Sequence, residues 1–167
     1  RTLLEPIAKK FNLYAINGVV CEDIALHKGS EADIAFCTTN ETIQDAKNIK
    51  LIFEVKMSIV SNYVMEEDGF LKRIGDYKSH IASPSLLRSD SMLKAIGKAI
   101  NIRVSNLLSS NIPIIVLGNS PITKNYCNKV DILKNNGIIQ GFYSLNPKPT
   151  DSDFISVSQN KGFETIF

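Results

Sequence analysis

The sequence predicts an α/β fold, a central mixed β-sheet flanked by α-helices in the order α-β-β-β-α-β. Three observations predict it. Leu3, Leu4, Ile7, Ala8 and Phe11 repeat at helical spacing at the start of the chain. From Ile49 to Ile59 every odd position is apolar, the period of a strand with one covered face. Further on, a helical stripe from Leu93 to Leu108 leads into the apolar run Ile112 to Leu117, as expected of a strand buried on both faces. At 167 residues and 44% apolar content, the chain has the size of one domain and the material for a core.

Taken in order, the first helix covers residues 2–12. Leu13 to Val20 and Glu22 to His27 read as strand segments, one bent strand or a hairpin around Asn17-Gly18. Lys28-Gly29-Ser30 turns the chain into a strand from Ala32 to Thr39, and the polar stretch Asn40 to Asn48 connects it to the strand over residues 49–59. Residues 60–85 carry an acidic cluster (Glu66, Glu67, Asp68), two glycines and the aromatics Tyr63, Phe70 and Tyr77, and read as a projecting loop or short helix. In the long helix the stripe Leu93, Ile96, Ile100, Val104, Leu107, Leu108 is the face expected to meet the core. Ser89-Asp90-Ser91 offers caps, and Ser83-Pro84 an earlier start. Gly118-Asn119-Ser120-Pro121 ends the strand that follows. A second helix spans Lys124 to Asn135, a further strand Ile138 to Leu145, and an edge strand is expected within 154–167, beyond Pro147 and Pro149. No repeat, low-complexity tract or linker divides residues 1–167, so one domain is expected; a chain that opens on Arg1 inside a helical pattern is also expected to be a fragment of a longer one.

Net charge is only +2, but it is unevenly spread. Between Lys72 and Arg103 stand seven bases (Lys72, Arg73, Lys78, Arg88, Lys94, Lys98, Arg103) against Asp76 and Asp90. Such a local excess suits an anionic partner, because nucleic-acid binding begins with phosphate neutralisation; a solvated charged surface is the plainer alternative. Cys21, Cys37 and Cys127 are odd in number and form no CxxC pair, which points to reduced thiols in a cytoplasmic protein rather than a zinc site. No run of apolar residues has the length of a membrane span and none reads as a signal peptide, so neither export nor a membrane span is expected.

The chemistry concentrates in Glu31-Ala32-Asp33 and in Leu51-Ile52-Phe53-Glu54-Val55-Lys56. Glu54 and Lys56 fall on the strand face opposite the odd apolar positions, side by side, with Asp33 on the strand before. A phosphodiester resists hydrolysis because its anionic oxygens repel the nucleophile and its alkoxide leaves poorly. Two carboxylates answer the first difficulty by holding Mg²⁺, which prefers oxygen ligands and keeps waters. A lysine answers the second, by countering charge that grows in the transition state. The competing reading of Glu54 and Lys56 is a surface ion pair of little worth. Other chemistries are poorly served. There is no GxxxxGK[ST] or GxGxxG loop, Ser120 lacks the second glycine of a nucleophile elbow, and neither His27 nor His80 belongs to a triad.

Asp33 and the triplet Glu54-Val55-Lys56, on strands in this order, resemble the motif of the PD-(D/E)xK nuclease superfamily, which includes restriction endonucleases and Holliday-junction resolvases. The resemblance covers about residues 1–118, with Ala32 where the motif name has proline. It implies a restriction endonuclease-like core, with Asp33, Glu54 and Lys56 as catalytic residues and Asp33 and Glu54 as ligands of Mg²⁺. It also puts Glu5, on the first helix, where some members carry an additional metal-binding acid; Glu22 and Glu31 are weaker candidates. Double-stranded DNA is the implied partner and a type II restriction enzyme acting as a homodimer the implied class, since a two-fold pair suits a symmetric site. Lys72, Arg73, Lys78, Arg88, Lys94 and Lys98 are the expected DNA contacts, the last two as one helix face along the phosphates. A structure-selective resolvase or repair nuclease, and a non-catalytic nucleic-acid-binding domain of the same fold, are the alternatives.

Overall fold

The computed structural model describes residues 1–58, 61–76, 85–120 and 122–145. The tail strand expected over 154–167, together with Lys78, Tyr77, His80 and Ser83-Pro84, lies outside these residues. The chain runs α1 (Glu5–Lys10), β1 (Tyr14–Val19), β2 (Ala32–Cys37), β3 (Ile49–Lys56), β4 (Ser61–Met65), β5 (Leu71–Asp76), α2 (Ser89–Ser105), β6 (Ile114–Gly118), α3 (Lys124–Asn135) and β7 (Gly141–Ser144). β1, β2 and β3 form an antiparallel meander, β6 joins β3 in parallel and β7 joins β6 in parallel. The result is a mixed five-stranded sheet of order β1-β2-β3-β6-β7, an α/β architecture with helices against it. β3 and β6 are parallel neighbours because the connection through α2 returns the chain to the same end of the sheet.

Both faces of the sheet are covered. On one face Leu4 and Ala8 of the α1 region pack with Ala15, Ile34, Phe36, Leu51, Phe53, Ile115 and Leu117. Phe36 and Phe53 meet edge to face, their centroids 4.9 Å apart, a geometry that adds about 0.5–1.5 kcal/mol to the burial itself. On the other face Met92, Ala95, Ala99 and Ile102 of α2 lie with Ala35, Ile52, Ile114 and Val116 of the sheet, and with Tyr126 and Leu133 of α3. β3 is therefore buried on both sides along most of its length, so the even position Ile52 is as inaccessible as Leu51 and Phe53. The strand also stops at Lys56, short of the expected Ile59, and Met57 is exposed.

Three segments differ from the sequence-based expectation. Residues 22–27 are not a strand. Glu22–Ile24 make a 3-10 turn, Ala25 follows with a left-handed φ of 60°, and Cys21 and Leu26 exchange two backbone hydrogen bonds across it. Within the stretch expected as a projecting loop or short helix, the described residues 61–76 form neither. β4 and β5 pair as an antiparallel hairpin that forms a two-stranded sheet of its own, closed by a turn with Gly69 at φ 83°. Most consequentially, α2 faces the sheet with the wrong stripe. Its buried residues are Met92, Ala95, Ala99 and Ile102; of the expected stripe Ile96 packs half-buried against the core, whereas Leu93, Ile100, Val104 and, beyond the helix end, Leu107 and Leu108 are exposed. At 100° per residue these two sets lie on opposite sides of the helix. Small side chains at the contact let the helix axis come close to the sheet, which a row of leucines and isoleucines would prevent.

Candidate active site

Strand pairing brings Asp33 and Glu54 together. The antiparallel register of β2 and β3 sets Ala35 opposite Ile52 and Ile34 opposite Phe53. One step further lie Asp33 and Glu54, and the pleat turns both to the face that α2 covers, the face of Ala35 and Ile52. The backbone ladder ends at Ile34, and the Val55 N–H donates instead to Asp33 Oδ2 at 2.6 Å. Lys56, two residues on from Glu54, shares its face. Its ammonium donates to Glu54 Oε1 and stands 3.9 Å from Asp33 Oδ2.

A second lysine completes the cluster. Lys98 reaches from α2 to place Nζ 2.7 Å from Glu54 Oε2 and donates to the Glu31 carbonyl at 2.6 Å. Glu54 is only 5% exposed. Its Oε2 is buried and accepts no well-aligned hydrogen bond among the described residues, so the Lys98 contact is coulombic rather than directional. Two carboxylates and two ammonium groups thus neutralise one another in a site that opens to solvent on the Asp33 side, where the side chain is 38% exposed against 19% for Lys56 and 18% for Lys98. Burying Glu54 alone would be costly; paired on both oxygens it is tolerated.

The end of β3 is anchored from behind. Ser85, buried and with φ 50°, donates its hydroxyl to the Lys56 carbonyl, and its N–H donates to Ser58 Oγ at 2.9 Å. The Asn119 N–H donates to Ser85 Oγ at 3.1 Å, while the Asn119 side chain accepts from Ser58 N–H at 3.0 Å and donates to the Ser58 carbonyl at 2.7 Å. Gly118, paired with Lys56 across β3 and β6, sits so close to this turn that a Cβ would come within 2.6 Å of the Leu86 side chain and 2.8 Å of Ser85 Oγ. Lys56 is therefore held by its main chain, independently of the ion pairs of its side chain.

The remaining expected site residues divide. Glu5 is not part of the cluster: it belongs to α1, on the opposite side of the sheet, and pairs with Lys9 at 3.5 Å and Arg1 at 3.8 Å. The structure thus does not bring Glu5 to Asp33 and Glu54, and among the described residues no group of three or more His, Cys, Asp or Glu side chains lies together. Glu22 pairs with His27 at the surface. Glu31 contributes its carbonyl to Lys98, while its carboxylate accepts from the Gly29 N–H, which holds its pKa below the usual carboxylate value. Lys94 and Lys98, expected as one DNA-facing stripe, separate: Lys94 is solvated and 3.9 Å from Asp90, whereas Lys98 belongs to the site. Arg88 makes a two-pronged contact with Asp90, at 3.0 and 2.9 Å, and Lys72 on β5 pairs with Glu66 at 2.9 Å. Arg73 lies on β5 as well, and Lys78 is outside the described residues. Arg103 is structural, joining α2 to the Ser109, Gly137 and Gln140 oxygens.

Sequence reasoning named Lys98 only as a DNA contact and not as a partner of Glu54, and it missed Ser58, Ser85 and Asn119 as anchors. Lys98 carried a usable signal, since it lies between Ala95, Ala99 and Ile102 on the small-residue side of α2. The anchors carried none, because their role depends on a turn brought in from a distant part of the chain. Among the described residues no helix is long and apolar enough to cross a membrane. Compared with known proteins, the chain matches no family model, no curated protein and no solved structure.

Proposed function

We propose that this chain is a Mg²⁺-dependent deoxyribonuclease with a restriction endonuclease-like core, of the type II class that cuts double-stranded DNA at a specific site as a homodimer. The observation that carries the proposal is the convergence of Asp33, Glu54 and Lys56 at the ends of two paired strands, with Glu54 Oε2 buried, in coulombic contact with Lys98 and without a well-aligned hydrogen bond among the described residues. Surface ion pairs do not need a desolvated carboxylate, so the arrangement is better explained as a prepared site. An all-oxygen donor pair with one under-satisfied oxygen fits a hard divalent cation, with Asp33 and Glu54 as the residues that would hold it. Such an ion polarises a phosphoryl oxygen and supplies an acidic water.

The chain's own residues do the rest. Lys56, positioned by the Ser85 bond to its carbonyl, presents an ammonium to the scissile phosphate and offsets charge that develops there. Asp33, the more open of the two carboxylates, faces the side from which substrate enters. The β4–β5 hairpin supports a DNA partner in particular, since a two-stranded ribbon bearing Lys72 and Arg73 has the width that the major groove admits. Cleavage of both strands of a symmetric site suits a two-fold pair.

Incubation with unmethylated plasmid and Mg²⁺ is the primary test. Discrete bands are expected; selective cutting of branched junctions would move the assignment to a resolvase, and intact DNA with retained binding to a non-catalytic module. Lys56→Ala and Asp33→Ala are each expected to lower cleavage by at least about 10²–10³, the usual cost of removing an electrostatic stabiliser, with DNA affinity largely kept. Near-normal cutting by either variant would show that the site is elsewhere.

A further inference from the structure

The Lys98 ammonium touches two oxygens of different origin, the Glu54 carboxylate at 2.7 Å and the Glu31 carbonyl at 2.6 Å. A carboxylate and a carbonyl are the donors that a hard cation collects. We propose that Lys98 is a resident counter-ion that holds the place of the divalent cation, that the cation must displace it, and that cation and DNA therefore bind cooperatively. The inference rests on the metal-dependent reading above for the identity of its cation, and adds how that cation is admitted.

Charge leads to it. Asp33 and Glu54 are already balanced by Lys56 and Lys98, so a divalent cation entering the cluster as it stands would meet two ammonium groups in a half-buried site. Charges of one sign a few ångströms apart repel strongly there, because solvent screens them poorly. One lysine has to leave, and the two differ in how they are held. The Lys56 ammonium serves both carboxylates, donating to Glu54 and standing 3.9 Å from Asp33, whereas that of Lys98 pairs with Glu54 alone of the two. Lys98 extends on a flexible four-carbon stem from a helix that docks through Met92, Ala95, Ala99 and Ile102, none of which depends on where the ammonium goes. Once displaced, that ammonium is a mobile positive charge at the rim of the site, and the nearest new anion is the DNA phosphate. Cation binding frees Lys98 for DNA, and DNA that engages Lys98 vacates Glu54 for the cation. Coupling of this kind is reciprocal.

Mn²⁺ titration of the whole chain without DNA, followed by calorimetry and by the shift of Tm, tests this. Lys98→Met removes the competing charge and is expected to bind Mn²⁺ about tenfold more tightly than the unmodified chain, within the usual range of coupling between sites. Lys98→Arg keeps the charge and is expected to bind as weakly as the unmodified chain. The Tm of Lys98→Met is expected to fall without cation, since Glu54 Oε2 is then uncompensated, and to rise more steeply with Mn²⁺, by linkage. Adding Glu54→Gln is expected to abolish the gain. Lys98→Gln, which retains hydrogen-bonding capacity, is the second variant should Lys98→Met not fold. Unchanged or weaker Mn²⁺ affinity in a folded, neutral variant overturns the counter-ion role while leaving a DNA-cutting enzyme intact. Absence of Mn²⁺ binding in every variant, with plasmid left uncut, overturns the metal-dependent reading and the counter-ion role with it.

Discussion

Cys37 and Cys127 have the same side chain in opposite settings, and chemistry should tell them apart. Cys37 is fully buried on β2, and desolvation pushes its thiol up to about 12; Cys127 on α3 is exposed. A thiol reagent at pH 8 is therefore expected to modify Cys127 in the folded chain and to reach Cys21 and Cys37 only after unfolding, checked by mass spectrometry with and without urea. The same burial has a pH consequence. In the folded chain Cys37 keeps its proton, while in the unfolded chain it ionises above its ordinary value of 9.0. The stabilisation is thus complete below pH 9 and is lost as pH rises through the window from 9.0 to about 12. The loss can reach about 1.4 kcal/mol per pH unit. Urea unfolding between pH 8 and 10.5 is expected to show a shallower alkaline decline for Cys37→Ala than for the unmodified chain. At this scale the sequence was most legible where period two applies. Glu54 and Lys56 could be placed on one face because a pleat admits no other arrangement once the strand is recognised, whereas the face of Asp33 depends on the register of β2 against β3. Lys98 was placed with Lys94 on one face, although its position between Ala95, Ala99 and Ile102 pointed to the sheet; only the carboxylate that its long side chain reaches leaves no periodic trace.

The helix α2 shows what periodicity leaves out. Its aliphatic stripe and its small-residue stripe both recur at three and four residues, and hydrophobic weight favours the first. The sheet selects the second, because Ala95 and Ala99 allow an approach that bulky side chains would block. Two substitutions check this directly by denaturant unfolding. Ala99→Leu is expected to cost about 1–3 kcal/mol by overpacking. Val104→Ser, at a position 75% exposed, is expected to stay within about 0.5 kcal/mol. The hairpin escaped recognition for a related reason. Val64, Met65, Leu71 and Ile74 are all exposed, so neither strand has the covered and uncovered alternation by which a strand announces itself. By contrast β6, with all five residues buried, was readable as an unbroken apolar run.

Across the whole molecule, the order of the helices and of the strands of the five-stranded sheet was legible, apart from the strand expected over residues 22–27 and the unrecognised β4–β5 hairpin, because each buried element carries its own period or run; the basic excess between Lys72 and Arg103 was visible as composition. Its distribution was not. Arg88 and Lys94 share Asp90, Arg103 binds backbone oxygens and Lys98 serves Glu54. Lys72, itself paired with Glu66, is the base of the hairpin to be tested against phosphate. Lys72→Ala is expected to flatten the log–log salt dependence of DNA affinity by about 0.9 if it contacts one phosphate. Lys94→Ala is expected to leave it nearly unchanged. Affinities over a salt series on scrambled duplex read both. The parallel pairing of β3 with β6 bears finally on the timing of assembly. The meander β1-β2-β3 closes short loops and can form early, whereas β6 must wait for the long crossover through α2. Loop closure thus predicts that Asp33 and Glu54 meet while still hydrated, and that Glu54 loses its water as α2 docks and delivers Lys98. Nascent chains in which that helix lags would expose a negatively charged strand end, a feature that discourages premature pairing with a neighbour before the fold is complete.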